Sequence, residues 1–246
     1  MYTHIPKQML HKDTDTLVLF IHGFMGTPNQ FTDFMDTVYK SGVSAVSVLL
    51  PGHGSSGFAF AKCTLEDWEA HLKSEIACYS HYKNIYLIGH SIGGLLALNL
   101  STESNVRGVI AISTPLKVYI FHPFHHYIKL KILFSKRENE IKKCYLSSKS
   151  IGKPYFRSMI LWPRVLLQPH RLIRKTVKHI QQITVPVLTI HSKKDETASF
   201  KSIKLFEKLL TNVNHEAVLL KDSLHAYYCE DERAAIAAAI LDFIIV

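Results

Sequence analysis

The sequence predicts an α/β fold in which a mostly parallel sheet carries helices on both faces. Apolar segments rich in Val, Ile and Leu alternate along the chain with segments of helix-forming residues. Residues 16–21 (TLVLFI) are apolar throughout, which is typical of a parallel strand buried on both faces. With 246 residues and 47% hydrophobic content, the chain can form one sizeable core. The alternation therefore indicates right-handed crossovers and a doubly wound sheet.

Six strands are predicted, and helices separate most of them. The predicted strands are, in order, residues 16–21, 43–50, 84–88, 107–112, 187–191 and 216–220. The predicted helices follow Thr27 (to about Lys40), follow Thr64, cover residues 95–100, extend from about Ser199 to Leu210, and close the chain after Ala234. Thr64 is a typical N-cap residue, and Glu66 and Asp67 place negative charge in the first turn of its helix.

The regular alternation stops between Lys117 and about Gln182. Four prolines divide this segment into short pieces. It also holds most of the basic charge, because residues 117–183 contain fifteen Lys and Arg residues against two acidic ones, in a chain with a net charge of +9. We therefore predict that residues 1–116 and 183–246 form the core, and that residues 117–182 are an insertion.

The charge distribution and the apolar segments also exclude some classes of protein. Basic charge confined to one segment argues against a nucleic-acid-binding protein. Residues 1–16 contain no apolar core of a signal peptide, which predicts a cytoplasmic location. The most apolar stretch, residues 234–246, is shorter than the roughly 20 residues of a membrane-spanning helix. No transmembrane segment is predicted.

The stretch Gly89-His90-Ser91-Ile92-Gly93 connects a predicted strand to a predicted helix. A serine at such a turn has a strained backbone, so the residues two positions away have to be small. Gly89 and Gly93 meet this requirement. A serine hydroxyl is a weak nucleophile until a histidine base lies within reach. Ser91 is therefore a candidate nucleophile, and the alternative is an incidental serine in a glycine-rich turn.

Several motifs occur in an order that is more specific than any one of them: the His22-Gly23-Phe24 loop, Pro51-Gly52-His53-Gly54, the Ser91 turn and His225. In this order the chain resembles the α/β-hydrolases, and most closely the small bacterial carboxylesterases and monoacylglycerol lipases. The resemblance implies a mostly parallel sheet of six or seven strands, with helices on both faces and an inserted helical lid at residues 117–182. It also implies a serine hydrolase that cleaves short- to medium-chain esters or monoacylglycerols through an acyl-enzyme.

The family order of catalytic residues is serine, acid, histidine, and the chain offers Ser91, Asp195 and His225 in that order. Asp195 follows the fifth predicted strand, and His225 follows the last one. His225 would take the proton of Ser91, and Asp195 would hold the correct tautomer of the imidazole ring. Glu196 and Asp222 lie close by in the sequence, so the identity of the acid stays open.

The resemblance also implies an oxyanion hole made by the backbone N–H groups of Phe24 and Ile92. His22, His53 and His90 are expected to be structural neighbours of the site. No phosphate loop or dinucleotide fingerprint is present, so we predict no cofactor. The histidines of the insertion have no carboxylate or cysteine beside them, and we predict no metal site at His122, His125 and His126.

Two alternatives of function stay open. An aminopeptidase of the same fold would need acidic residues in the lid to bind the substrate ammonium, and the lid offers only Glu138 and Glu140. A non-catalytic ligand-binding protein of the same fold is the other alternative.

The basic, aromatic-rich insertion has two interpretations. In the first, the insertion gives the lid a positive field that recruits an anionic substrate or an anionic lipid surface. Alternatively, its apolar side covers the pocket and its lysines keep the outer surface hydrated.

Overall fold

The computed structural model describes residues 3–117, 140–151 and 162–245. In these ranges seven strands form one sheet in the order β1-β3-β2-β4-β5-β6-β7. The strands are β1 (Lys7–Met9), β2 (Thr16–Ile21), β3 (Ser44–Val48), β4 (Asn84–His90), β5 (Val106–Ile112), β6 (Val187–Ser192) and β7 (His215–Leu220). All neighbouring strands are parallel except β1, which pairs antiparallel with β3. The predicted mostly parallel sheet is thus confirmed, and its seventh strand is the edge strand β1.

Helices connect these strands. They are α1 (Thr32–Lys40), α2 (Gly57–Lys62), α3 (Leu65–Cys78), α4 (Ile92–Asn99), α5 (Glu140–Ser147), α6 (Trp162–Leu166), α7 (Gln168–His179), α8 (Ser202–Leu209) and α9 (Glu230–Ile245). A 3-10 turn at Pro28–Phe31 precedes α1, so the α-helix begins later than the sequence predicts. Thr64 caps α3 as predicted, because its side chain accepts from the N–H of Asp67 and Asp67 accepts from the N–H of Thr64.

The core has two halves, one on each face of the sheet. Alternate residues of a strand point to opposite faces. Along β2, Leu17, Leu19 and Ile21 therefore pack toward α3, α4 and α8, whereas Val18 and Phe20 pack toward α1 and α9. Each of these five side chains is fully buried. Burial of one such side chain stabilises the fold by about 1.5–3 kcal/mol.

The last helix of the predicted lid, α7, packs against the core. Leu172, a residue of α7, is fully buried within the larger of the two apolar clusters. Two cations of α7 form ion pairs with acids of α3: Arg171 Nη2 lies 2.8 Å from Glu66 Oε1, and Lys175 Nζ lies 2.6 Å from Glu69 Oε1. Part of the positive charge of the insertion is therefore neutralised by the core. The boundaries of the lid stay a prediction.

Several features predicted for the insertion lie outside the described residues. They are His122, His125, His126 and Glu138. Within the described ranges, no helix combines the length and the apolar character that crossing a membrane requires. The carboxyl ends of β2, β4, β5, β6 and β7 meet at one edge of the sheet, where ligands bind in folds of this kind.

Candidate active site

Ser91 lies at the sharp turn between β4 and α4. Its backbone has φ 55° and ψ −119°, a left-handed conformation that a residue with a Cβ atom adopts at a cost of about 1–3 kcal/mol. The N–H of Ser91 donates to the carbonyl of Ile112 at the end of β5, at 2.8 Å. This hydrogen bond and the packing of α4 against the sheet hold the turn in its strained form.

The glycines on either side of Ser91 allow the strand and the helix to approach each other. A Cβ atom on Gly89 would overlap the backbone of Gly93. A Cβ atom on Gly93 would overlap the carbonyl oxygen of Ile21 in β2. The structure therefore confirms that these two positions require residues without a side chain.

Ser91, His225 and Asp195 form one chain of hydrogen bonds, although 134 residues separate the serine from the histidine. Ser91 Oγ lies 3.1 Å from His225 Nε2. His225 Nδ1 lies 2.9 Å from Asp195 Oδ2 and 3.1 Å from Asp195 Oδ1. Because a carboxylate only accepts, Nδ1 carries the proton and Nε2 presents its lone pair to the serine hydroxyl. This is the geometry of a nucleophile, its base and the group that orients the base.

Asp195 is 1% exposed and its carboxylate is fully hydrogen-bonded. Besides His225, Oδ1 accepts from the N–H groups of Thr197 and Ala198, each at 2.7 Å. Burial by itself raises the pKa of Asp195. The electrostatic attraction of His225 and these hydrogen bonds outweigh burial and hold the pKa below its ordinary value. Asp195 is therefore an anion at neutral pH.

The other two carboxylates that the sequence offers do not reach the ring of His225. Glu196 Oε2 accepts from the main-chain N–H of His225 at 3.0 Å, and Glu196 Oε1 accepts from the hydroxyl of Tyr145. Asp222 forms an exposed ion pair with Lys194 at 2.6 Å. Of the three candidates, the structure brings only Asp195 into contact with His225 Nδ1.

The loop that carries His225 is held along its backbone by side chains from other elements. Ser192 Oγ donates to the carbonyl of Ser223 at 2.5 Å. Glu232, in the first turn of α9, accepts from the N–H groups of Lys221, Asp222 and Ser223. His90 Nε2 donates to the carbonyl of His225 at 2.7 Å. Sequence reasoning missed Glu232 and Tyr145, since a glutamate in a first helical turn and a tyrosine in an irregular insertion carry no specific signal.

Three further histidines lie beside the site in the neutral form. His22 Nε2 accepts from the N–H of Leu50 at 3.1 Å, so His22 Nδ1 donates to the carbonyl of Gly23 at 2.9 Å. Burial lowers the pKa of His22 well below its usual range. Burial also lowers the pKa of His53 to about 4 and that of His90 to about 3. These rings therefore support the loops around Ser91 without carrying charge.

The two predicted oxyanion donors lie at the loops next to Ser91. Ile92 is the first residue of α4, so its N–H has no acceptor within the helix. Phe24 lines the cavity that contains Ser91, and its ring packs on Phe60 and Trp68 at centroid distances of 5.1 and 6.2 Å. The role of both N–H groups stays a prediction.

The described residues line an open cavity of about 210 Å³ that contains Ser91 and His225 in its wall. It is lined by apolar and polar groups that include Phe24, Met25, Gln30, His90, Tyr145, Lys149, Glu196 and Thr197. A second cavity of about 130 Å³ shares Gln30 and His90 with it. Three buried polar atoms on these walls make no hydrogen bond within the described part of the chain: Gln30 Oε1, His90 Nδ1 and Thr197 Oγ1. Across the same ranges, no group of three or more His, Cys, Asp or Glu residues is arranged to hold a metal ion.

The chain is similar to known proteins over most of its length. The chain is 23% identical over 229 residues to the thermostable monoacylglycerol lipase of Bacillus sp. (strain H-257), covering 92% of this chain and 89% of the relative. A structure from work on LipS and LipT, two metagenome-derived lipolytic enzymes, matches with a TM-score of 0.76 at 18% identity, over 98% of this chain and 97% of the other. The monoacylglycerol lipase of Paleococcus ferrophilus matches with a TM-score of 0.72 at 16% identity, over 93% of both chains. These structures share the α/β-hydrolase fold with the chain.

A family model also matches the chain. It is Hydrolase_4, described as serine aminopeptidase, S33, and it matches residues 12–232. The match includes the Ser91 turn, Asp195 and His225. The chain therefore belongs to the Hydrolase_4 family and is a serine hydrolase with the α/β-hydrolase fold.

Proposed function

We propose that the protein is a carboxylester hydrolase that cleaves short- to medium-chain esters or monoacylglycerols through an acyl-enzyme. The observation that carries the proposal is the hydrogen-bonded chain from Ser91 Oγ to His225 at 3.1 Å and on to Asp195 at 2.9 Å. Two of the relatives named above are monoacylglycerol lipases, which supports this substrate class.

In the proposed acylation step, Ser91 Oγ forms a bond to the carbonyl carbon of the ester while its proton passes to His225 Nε2. The carbonyl oxygen becomes an oxyanion, and the N–H groups of Ile92 and Phe24 stabilise it. Asp195 stabilises the imidazolium that has formed. The tetrahedral intermediate then breaks its bond to the alcohol oxygen, which takes the proton from His225 as the alcohol departs.

In the proposed deacylation step, His225 accepts a proton from water, and the water oxygen attacks the carbonyl carbon of the acyl-serine. A second oxyanion forms between the same N–H groups. Its collapse breaks the bond to Ser91 Oγ, which takes the proton back from His225. The carboxylic acid leaves, and the enzyme is regenerated.

The walls of the two cavities contain polar groups, which suits a substrate whose alcohol part carries further hydroxyl groups. His90 Nε2 already donates to the carbonyl of His225, so His90 Nδ1 is an acceptor. Gln30 Oε1 is a second unpaired acceptor on the wall that the cavities share. Both acceptors are buried beneath the cavity surface, so they show only that the walls are polar, which is compatible with an alcohol that carries further hydroxyl groups.

The aminopeptidase alternative has little support from the described site. A substrate ammonium needs a carboxylate that is free to accept from it. Glu196 is the one acidic residue among the described residues that line the cavity, and both of its oxygens already accept from Tyr145 and His225. Ester substrates carry no ammonium and need no such partner.

We also propose that the basic insertion recruits an anionic ester or an anionic lipid surface. The exposed residue Lys149 lines the cavity that contains Ser91, and it places one positive charge at the cavity mouth. Arg171 and Lys175 contribute less, since Glu66 and Glu69 neutralise them. Lys149 is the one lysine or arginine among the described residues that line this cavity, so the proposal depends on it there.

A fluorophosphonate probe and a panel of esters test the proposed function. The wild-type protein should be labelled and should hydrolyse p-nitrophenyl and glycerol esters of graded chain length. Ser91→Ala should remove the label and lower kcat by several powers of ten, because Ser91 is the only nucleophile among the described residues that contacts His225 Nε2. Ser101→Ala is the matched control, as this buried hydroxyl donates to the carbonyl of Leu98. Retention of a tenth of the wild-type kcat by Ser91→Ala would refute the proposal.

A further inference from the structure

Helix α5 and the residues that follow it contact both loops that carry the proposed catalytic groups. Cys144 Sγ donates to the carbonyl of Ala226, the residue after His225, at 2.8 Å. The N–H of Ser150 donates to the carbonyl of Met25, the residue after Phe24, at 3.1 Å. This part of the predicted lid is thus bonded directly to the catalytic loops.

Glu196 connects α5 directly to the backbone of His225. It is 2% exposed, and one of its oxygens accepts from the N–H of His225 while the other accepts from Tyr145. Burial, together with the Glu196 carboxylate, raises the pKa of the Tyr145 phenol far above its usual range. The hydroxyl of Tyr145 therefore stays protonated and donates to Glu196.

Glu196 is a second buried carboxylate directly beside Asp195. Burying a charged group is costly unless hydrogen bonds compensate it. In this site the compensation comes from the catalytic loop and from α5. Together with His90, which donates to the carbonyl of His225 at 2.7 Å, Glu196 fixes both ends of the His225 backbone. The imidazole ring of His225 has to contact Ser91 and Asp195 at the same time. The backbone from which the ring extends must therefore be held in a fixed position.

We propose that Tyr145 and Glu196 are positioning residues for His225. Tyr145 orients the carboxylate of Glu196, and Glu196 holds the main chain of His225 so that the ring bridges Asp195 and Ser91. The inserted segment thereby helps to assemble the proposed catalytic triad. This inference rests on the proposed function, since its effect is measured on ester hydrolysis.

Tyr145→Phe tests the proposal, because it removes one hydroxyl and keeps the aromatic ring in the cavity wall. We expect kcat to fall by about tenfold or more while KM stays within about twofold, since a small displacement of a catalytic group slows chemistry more than binding. The low-field proton resonance of His225 Nδ1–H should also broaden, because this proton is shared with Asp195. A merely structural role would leave both readouts unchanged.

Tyr82→Phe is the matched control. Tyr82 is also buried, and its hydroxyl donates to Ser44 Oγ at 3.1 Å, away from the site. This variant should lose stability without a change in kcat. If Tyr145→Phe behaves in the same way as Tyr82→Phe, the proposal is overturned.

Glu196→Gln keeps the test decisive if Tyr145→Phe does not fold. The amide oxygen of the glutamine can still accept from the N–H of His225. The NH₂ group that then faces Tyr145 cannot accept from the Tyr145 hydroxyl. The kcat of Glu196→Gln should fall. Where Tyr145→Phe folds, the double variant should lose no more than about the larger single loss, because both residues act through one contact. Wild-type kcat in Glu196→Gln, or fully multiplicative losses in the double variant, would overturn the proposal. The proposed function fails separately, when Ser91→Ala keeps its activity.

Discussion

Replacement of Asp195 by asparagine should reverse the tautomer of His225. Oδ1 of Asp195 accepts from two backbone N–H groups, those of Thr197 and Ala198, at 2.7 Å each. In Asp195→Asn the amide oxygen must take this position, because the amide nitrogen cannot accept. The NH₂ group then replaces Oδ2, which lies 2.9 Å from His225 Nδ1. Two donors repel each other, and the oxygen 3.1 Å from Nδ1 already accepts from two N–H groups, so the tautomer with its proton on Nε2 is favoured.

A proton on His225 Nε2 prevents the ring from accepting the proton of Ser91. Loss of a triad aspartate in this way lowers kcat by about 10⁴-fold. At about 1.36 kcal/mol for each factor of ten, this is about 5 kcal/mol of lost transition-state stabilisation. Hydrolysis of a short-chain p-nitrophenyl ester measures the effect. Thermal unfolding of the same samples shows whether the protein is folded.

Asp222→Asn is the matched control for this prediction. It makes the same chemical change in a carboxylate whose ion pair with Lys194 is exposed on both sides. Exposed ion pairs contribute little to stability, and this carboxylate does not contact His225, so this variant should keep its kcat. The assignment of Asp195 is wrong if Asp195→Asn retains more than a tenth of wild-type kcat. It is also wrong if Asp222→Asn or Glu196→Gln loses more than Asp195→Asn.

Two further predictions concern pH and salt. Partial burial raises the pKa of Glu232, but hydrogen bonds from the loop residues 221–223 outweigh it and lower the pKa to about 2 from an ordinary value of 4.5. Its stabilising contribution is therefore complete above pH 4.5 and is lost as the pH falls through about 2. Glu232→Gln should lower Tm at pH 7 but not near pH 2, and an equal loss at both pH values would contradict this. If Lys149 attracts anionic esters, their kcat/KM should fall with salt more than that of neutral esters of equal chain length, since charges are screened over roughly 8 Å at physiological ionic strength. Equal responses of the two substrates would show that the positive charge plays no part.

The sequence was sufficient to predict the elements that depend on local pattern. The strand before Ser91 is a run of apolar residues, and the glycines at 89 and 93 mark the close approach of strand and helix that the structure contains. The six predicted strands all occur. The strand β1 escaped prediction because three residues at a sheet edge show no periodicity.

The family order of catalytic residues favoured Asp195, but local pattern could not exclude its neighbours, because the choice depends on side-chain direction. Asp195 and Glu196 are adjacent and both are buried. In the folded turn, one carboxylate faces the ring of His225 and the other faces its main chain. The role that we propose for Tyr145 depends on a contact between residues 51 positions apart, which no local pattern encodes.

The tight turn around Ser91 has a consequence for how this protein can be altered. Neither Gly89 nor Gly93 tolerates even a methyl group, since backbone atoms on two neighbouring elements occupy that space. A library for directed evolution that randomises these positions would consist mostly of misfolded variants. Exposed positions around the cavity, such as Lys149, face no such restriction. New specificity is therefore most accessible through the inserted segment, where a substitution changes what enters the cavity and leaves the nucleophile in place.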